Sequence, residues 1–524
     1  MPQTQKVDVK DIFAADPPRI VYKEGLRSVQ PYYYVYQTYA KQRWFGRRLV
    51  EVCTTEFRDR SKSYYEWAIQ TGIATINSQP ATLDSVVRNG DLIQNRVHAH
   101  EPPVVAELPV IIYENKERGW LVVSKPGSMP VHAAGRYRKN TLLEILQDEY
   151  KMNSLYCCNR LDRLTSGVMV IGTRKSAGQQ LGAAFMRGVI KKEYIARVLG
   201  RFPDRETVDE PIITVDRQMG LVIRHEHGKQ AKTMFERMSY DSVTDTSIVY
   251  CQPLTGRTHQ IRVHLQYLGY PIANDPLYSS YEVWGVKRGK GGWPTYTTER
   301  VLGELLELDR EHDQEQEHKQ GQNQEQRKEQ PLNTCHSKDV EILEKHLGDN
   351  AKHFIRSDDD IGFNSPVELH EEYKEVIRRL RAQKDESDGW ARWRDALGFG
   401  SDEQEKQKQN QIKEDQQQQQ HGHNDTNTDA HNLNSVTQGL GGYCPTCFIP
   451  LIPDPPREKL FIYLHATRYT SPDWCFQAPL PNWIDEGGRK WWDANNEQRK
   501  QGIVESVNQL VKEEEERKAA EEGG

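Results

Sequence analysis

The chain has few of the features that stabilise small secreted or membrane-bound proteins. Its eight cysteines, Cys53, Cys157, Cys158, Cys251, Cys335, Cys444, Cys447 and Cys475, are scattered over 524 residues. That spacing is no disulfide framework and points to a reducing compartment. No run of 18 or more apolar residues occurs, so no membrane span is expected. The N-terminus lacks the apolar core of a signal peptide, and Asp8, Asp11 and Asp16 are residues that a mitochondrial presequence avoids. Cytoplasm or nucleus is therefore expected, with mitochondrial import by another route left open. Only 36% of residues are hydrophobic and the mean hydropathy is −0.82. Part of the chain should be unable to bury a core.

The net charge of −6 conceals two opposite halves. Residues 1–290 carry 41 Lys and Arg against 30 Asp and Glu, a net of +11, which leaves −17 for the remainder. The regularly patterned half is the basic one, which suits a polyanionic partner such as nucleic acid.

One charged stretch in that half stands out, Asn159–Gly167, reading NRLDRLTSG. Asp162 lies between Arg160 and Arg163, and nearby positive charge keeps a carboxylate ionised. Thr165, Ser166 and Gly167 follow, giving a tight backbone that lets a substrate approach. The stretch reads as a reactive carboxylate on a strand-edge turn, and as an exposed turn with a surface ion pair if taken alone.

Around it the chain divides by pattern. Residues 1–50 form an aromatic and basic extension in which Tyr32, Tyr33, Tyr34, Tyr36 and Tyr39 run into Lys41, Arg43, Trp44, Arg47 and Arg48. Such residues can stack on bases and pair phosphates, or pack over the main fold. Residues 51–103 read as a small module, with a helix over Lys62–Thr71 and short strands at Ile73–Ile76 and Asp91–Ile93. This module loosely resembles the S4-like RNA-binding module. Residues 104–290 carry the ordered core, with strands at Pro109–Glu114, Trp120–Pro126, Val168–Thr173, Lys191–Val198, Ala231–Met238 and Ser247–Leu254. Helices are expected at Thr141–Tyr150, at Ser176–Arg187 and after Thr255–His264. Consecutive strands outnumber helices, so the fold class is α+β with a mixed, mainly antiparallel sheet. Residues 291–440 are a low-complexity polar insertion expected to be largely disordered, with a helix possible over Tyr373–Leu397. Residues 441–485 return to ordered patterning, with an apolar strand over Lys459–Ala466 that reads as a late piece of the catalytic sheet. Residues 486–524 are a charged helix or tail, expected to be solvated.

RLDRLTSG, Lys192-Glu193-Tyr194, GRTHQIRVH at 256–264 and Leu464-His465-Ala466 occur in the order found in the RluA-type pseudouridine synthases, which this chain closely resembles over residues 104–280 and 441–485. Leu268–Ile272, Asp275 and Tyr278 extend the match. The extension, the S4-like module, the acidic insertion and the Cys444-Pro-Thr-Cys447 pair resemble the eukaryotic members that act on position 32 of the tRNA anticodon loop. The same fold acting on rRNA or mRNA, or serving as a silent RNA-binding protein, is the alternative.

The resemblance implies isomerisation of uridine to pseudouridine without cofactor or metal, by a monomer whose partner is tRNA. It implies Asp162 as the catalytic carboxylate, Arg262 as its salt-bridge partner in preference to Arg257, and Tyr194 as the ring stacked on the target base. Arg160 matches the side chain that fills the space a flipped base vacates, and Asn159 stands where many relatives have His or Gly. Arg136, Arg138, Lys139, Lys191 and Lys192 are expected at phosphates, while His259 and His264 are expected to be structural or RNA-facing. The Cys444–Cys447 pair supplies two of the four ligands that tetrahedral zinc wants, and reads as packing thiols.

Overall fold

A computed structural model describes residues 18–57, 62–216, 220–285, 288–292, 374–380, 383 and 454–522. Strands β1 (Ile20–Lys23) and β2 (Leu26–Val29) form a hairpin. Strand β3 (Tyr32–Tyr39) joins β4 (Ala74–Ile76), β5 (Gln79–Pro80) and β6 (Leu92–Ala99) in a four-stranded sheet ordered β3-β6-β4-β5. The Leu49–Val52 and Lys62–Gln70 helices supply Leu49, Val52, Tyr65, Ala68 and Ile69 to a core shared with Ala74 and Ile93. The boundary expected at residue 50 therefore moves. Tyr32–Tyr39 pairs with β6 along its whole length, and Trp44 is buried in the module's core. The β3 partner lies more than fifty residues along the chain, out of reach of local periodicity.

Strand β7 (Val104–Val105) caps β2, and the catalytic sheet follows. It contains β8 (Val110–Asn115), β9 (Trp120–Lys125), β10 (Tyr156–Cys157), β11 (Ser166–Gly172), β12 (Lys191–Leu199) and β13 (Arg205–Asp209). A separate hairpin is formed by β14 (Ile212–Asp216) and β15 (Leu221–Arg224). Strands β16 (Lys232–Asp241), β17 (Thr246–Pro253), β18 (Leu464–Ser471) and β19 (Trp474–Gln477) complete the sheet. Its order is β13-β16-β17-β12-β18-β11-β9-β8, with β10 on β11 and β19 on β18. Among the described strands β11 and β18 pair in parallel and every other pairing is antiparallel. This is the mixed, mainly antiparallel α+β architecture that the patterning implies.

The next-to-last strand in sequence order, β18, is thus a central one. Every residue of β18 is buried, including His465, Thr467, Arg468 and Thr470. It starts five residues later than the apolar pattern suggests, because Arg457–Leu460 form a 3-10 turn after Pro456. Close approach of β18 to β11 depends on Gly167, whose φ is +117° and where an added Cβ would lie 2.1 Å from the Ala466 carbonyl oxygen.

The C-terminal segment differs from the expected solvated tail. It is a helix, Glu486–Glu522, started where Asp485 accepts the Gly488 N–H at 2.6 Å. Trp492, Ile503 and Val507 are buried, and Arg499 stacks over Tyr250 at 4.5 Å and over Trp491 at 4.7 Å. A few widely spaced apolar residues on one face suffice for docking, although the segment reads as polar overall. No helix of the described residues is long and apolar enough to cross a membrane.

Candidate functional site

Asp162 lies in the loop between β10 and β11, where its carbonyl accepts the Thr165 N–H at 3.1 Å. Asp162 lies on the wall of an open cleft lined also by Arg160, Lys192, Tyr194, Arg257, His259 and Arg262. Its side chain keeps 22% of its exposure, so a ligand can reach it.

The opposite wall is the start of the Gln260–Tyr267 helix. His259 caps it with φ +55°, a left-handed conformation that turns the chain sharply into the helix. Arg262, one turn in, is buried. Its Nε and Nη2 donate to Asp275 at 2.6 and 2.8 Å, and its remaining Nη1 lies 3.6 Å from Asp162 Oδ2. The cation expected to pair Asp162 is therefore held first by Asp275 and offers Asp162 only its spare corner. His259 Nε2 is 3.7 Å from the same oxygen, and its Nδ1 is 2.9 Å from the Tyr278 hydroxyl. Tyr278 is fully buried, bonded to both backbone groups of Val222, with its ring 5.0 Å from the Arg262 guanidinium.

Burial alone would raise the Asp162 carboxyl, but the charges of His259, Arg262, Arg160 and Lys125 outweigh it and hold the group below its ordinary value. His259 is itself pushed down to about 4 by burial and by Arg262. At neutral pH it is thus a neutral ring, and the standing positive charge at Asp162 belongs to the two arginines. Tyr194, on β12, is pushed up to about 12 by burial, reinforced by the Asp162 charge, and keeps its phenolic proton. Its hydroxyl is 3.4 Å from that of Tyr469, to which the Asn159 amide donates at 3.2 Å. The atypical Asn159 thereby ties the Asp162 loop to the Tyr194 strand.

Among the expected phosphate contacts Lys192 lines the cleft, and so do Arg160, expected to fill the vacated space, and Arg257. Lys192 is pushed down to about 8, by burial first and then by Lys191 and Arg257. Lys191 begins β12 opposite Thr470. The loop of Arg136, Arg138 and Lys139 lies outside the cleft lining and does different work. Backbone N–H groups of Arg138, Lys139 and Asn140 each donate to the Glu101 carboxylate at 2.9 Å, as does the Tyr32 hydroxyl at 2.5 Å. The Arg138 guanidinium lies 5.3 Å from Tyr34 and 4.8 Å from Tyr36. Lys139 pairs with Glu144 at 2.7 Å and Asp148 at 3.4 Å. The Glu101 and Arg138 contacts fasten the N-terminal module to this loop, and the tyrosines expected to stack on bases are largely used there. Tyr39 alone of that run is mostly exposed. His264 is fully buried between Thr233 and the Glu210 carbonyl, a structural placement. Cys444 and Cys447 lie outside the described residues.

Lys125 escaped the sequence reading. It ends β9 completely buried, donating to the carbonyls of Pro126, Met129 and Arg163 at 2.9, 3.0 and 3.3 Å. Burial pushes it down to about 7. The signal was present, a lone lysine closing the apolar run Trp120–Ser124, but nothing local distinguishes it from a strand-end cation.

Comparison with known proteins accords with this geometry. The family profile described as RNA pseudouridylate synthase matches residues 119–267, which include Asp162, Tyr194 and Arg262. The chain is 35% identical to Pseudouridylate synthase RPUSD2 of Mus musculus over 464 residues, covering 88% of this chain and 72% of that protein. It is 44% identical over 298 residues to the tRNA pseudouridine(32) synthase, mitochondrial, of Saccharomyces cerevisiae, covering 56% of this chain and 63% of that one. To the tRNA pseudouridine(31) synthase of the same yeast it is 32% identical over 300 residues, covering 49% and 73%. With its site geometry and these relatives together, the chain belongs to the RNA pseudouridylate synthase family and isomerises uridine in RNA to pseudouridine.

Proposed function

We propose that the substrate is tRNA, at the uridine of position 32 in the anticodon loop, and that Asp162 is the reacting carboxylate. The observation that carries the second claim is the placement of Asp162, partly open on a cleft wall with Arg262 Nη1 at 3.6 Å and the Tyr194 ring in the same lining. The first claim is supported by the relative named for position 32, which is 44% identical where the one named for position 31 is 32% identical.

In this reading the target base leaves its stack, at a cost of a few kcal/mol that is smaller in a loop than in a helix. It enters the cleft against the Tyr194 ring, while Arg160 fills the vacated space. The C1′–N1 bond breaks, the uracil rotates, a C1′–C5 bond forms, the C5 hydrogen leaves as a proton, and N1 takes up a proton. Asp162 either adds to the sugar or abstracts a sugar proton, and both routes need the ionised carboxylate. Arg262 keeps it ionised and in place. Lys192 and Arg257 meet the backbone phosphates beside the flipped nucleotide. Cytoplasm or nucleus is the compartment that the scattered cysteines support, and the yeast relative named mitochondrial makes the mitochondrion the second place to look.

Release of tritium from tRNA transcripts carrying 5-tritiated uridine measures the reaction. Asp162→Asn is expected to stay folded, bind RNA and release none. Full release by that variant would remove Asp162 from the mechanism. Pseudouridine mapping in a strain lacking the gene tests the substrate. Loss at position 32 of several tRNAs is the expected result, and loss confined to ribosomal RNA would overturn it.

A further inference from the structure

The long polar insertion has a described foothold in the catalytic domain. Residues 374–380 form a helix whose Val376, Ile377 and Leu380 are buried. They share one apolar cluster with Leu221, Val222 and Ile223 of β15, with Val263 of the Gln260–Tyr267 helix, and with Tyr278 and Trp284. Polar contacts fix the register. Arg379 donates to the Glu282 carbonyl at 3.3 Å, and Gln383 reaches the Ser280 hydroxyl at 3.3 Å and the Glu282 carboxylate at 3.2 Å.

The groups this helix backs are those that hold the Arg262 cation and the His259 ring against Asp162. Tyr278 holds His259 through Nδ1, lies under the Arg262 guanidinium, and stacks on Trp284 at 6.3 Å. The Tyr278 backbone N–H donates to Asp275, the carboxylate that grips Arg262. Val222, bonded to the Tyr278 hydroxyl through both of its backbone groups, belongs to the same cluster as Ile377. A close-packed interior transmits a displacement on one side of such a cluster to the other.

We propose that residues 374–380, with Gln383, are a positioning element of the active site, the part of the insertion that braces Tyr278 and through it sets Arg262 and His259 against Asp162. The proposal rests on the reading of Asp162 as the reacting carboxylate. Val376, Ile377 and Leu380 touch no reacting atom in it. They act through Tyr278, so their loss should lower the rate of the chemical step and leave RNA affinity alone.

The test uses the full chain with Ile377→Asp, the milder Leu380→Ala in case the first does not fold, and the conservative Ile377→Leu. Folding is checked by circular dichroism, RNA affinity by filter binding of a tRNA transcript, and chemistry by the single-turnover rate of tritium release. For the folded disruptive variant the rate is expected to fall at least about tenfold, since small misplacements of reacting groups are costly. Its Kd should stay within about twofold of wild type by the same argument. Ile377→Leu should restore the wild-type rate. A folded disruptive variant with the wild-type rate would overturn the proposal, and so would a loss confined to Kd, which would make the segment an RNA contact. Asp162→Asn is run in parallel. If it is inactive while the Ile377 and Leu380 variants are normal, only the bracing role falls. If it turns over, the carboxylate reading falls first and the bracing role with it.

Discussion

Two buried arginine–carboxylate pairs flank the middle of the catalytic sheet, and they are chemically alike. Arg262 grips Asp275 through two nitrogens on the cleft side. Arg468 grips Glu193 through two nitrogens on the far side, with all four residues buried. They differ in where the third nitrogen goes. In Arg468 it is consumed by Asn496 of the C-terminal helix, whose carbonyl oxygen accepts at 3.2 Å, while the guanidinium face lies 5.2 Å from Trp492. In Arg262 it faces Asp162 across 3.6 Å, and Asp162 is partly open to solvent. A buried ion pair is thus no mark of function in itself, and structural networks perturb charge as strongly as catalytic ones. What distinguishes the pair proposed for catalysis is an unspent donor aimed at a carboxylate that a ligand can reach.

The comparison can be broken at several points, the largest effect first. Arg262→Met should lower turnover by about 10²-fold or more through loss of preorganised charge. It should also destabilise the fold by about 3–5 kcal/mol, because Asp275 is left buried and unpaired. Adding Asp275→Leu should recover stability in chemical denaturation and leave turnover low. If the double variant regains turnover, Arg262 serves only the fold. Arg468→Met should cost a similar 3–5 kcal/mol for the same reason. Its folded fraction should turn over at the wild-type rate, and a matching rate loss would erase the distinction.

A third contrast concerns pH. Asp162 is held below its unfolded value, so its contribution to stability is present above the unfolded carboxylate range and is lost as pH falls through the folded value. Turnover should accordingly stay flat down through the ordinary carboxylate range, near pH 4, and drop only below it. Removing the Arg262 charge should move that acid limb upward, and a pH–rate profile unchanged in Arg262→Met would exclude electrostatic support of Asp162. Lys125 gives a slope of the same sign in a higher pH window, there because the fold disfavours its charged form. Its folded value is pushed down to about 7, so between there and the ordinary lysine range the unfolded chain binds more protons and stability rises with pH. Stability curves of wild type and Lys125→Met should diverge with that sign across the window, and parallel curves would mean that the lysine is charged in the fold.

The smallest effect separates the cleft from the basic loop. Lys192→Ala should weaken tRNA binding and reduce the slope of log affinity against log salt by about one. Lys139→Ala should leave that slope unchanged, since its ammonium is engaged by Glu144 and Asp148. Equal slope changes would place RNA on both surfaces.

Much of this site is legible in the sequence because its parts are short contiguous segments. NRLDRLTSG, KEY and GRTHQIRVH each carry the residue proposed for catalysis beside a recognisable strand or turn. The illegible parts are relations between distant segments. That Arg262 belongs first to Asp275, that Lys125 sits under the Asp162 loop, and that Arg138 and Lys139 serve Glu101 cannot be read from charge patterns, which report composition and not partners. The fold shows the same division. Strands β9, β11 and β17 read as short apolar runs buried on both faces, and β13 and β16 as more polar strands of partial burial. The pairing of β3 with β6 and the docking of 374–380 depend on surfaces that exist only once other segments have folded.

The central place of β18 has a consequence for how the enzyme comes into being. Ser166 at the end of the Asp162 loop pairs with His465, 299 residues later, through the strands and through a 2.8 Å side-chain hydrogen bond. Contacts of such separation are slow to form, and domains generally begin to fold during synthesis from the N-terminal end. On a ribosome, the gap between β11 and β12 stays open until β18 has emerged, so the nascent chain can assemble its N-terminal module early and cannot close the wall behind Asp162. Catalytic competence is therefore a late event, conferred on the whole polypeptide at once.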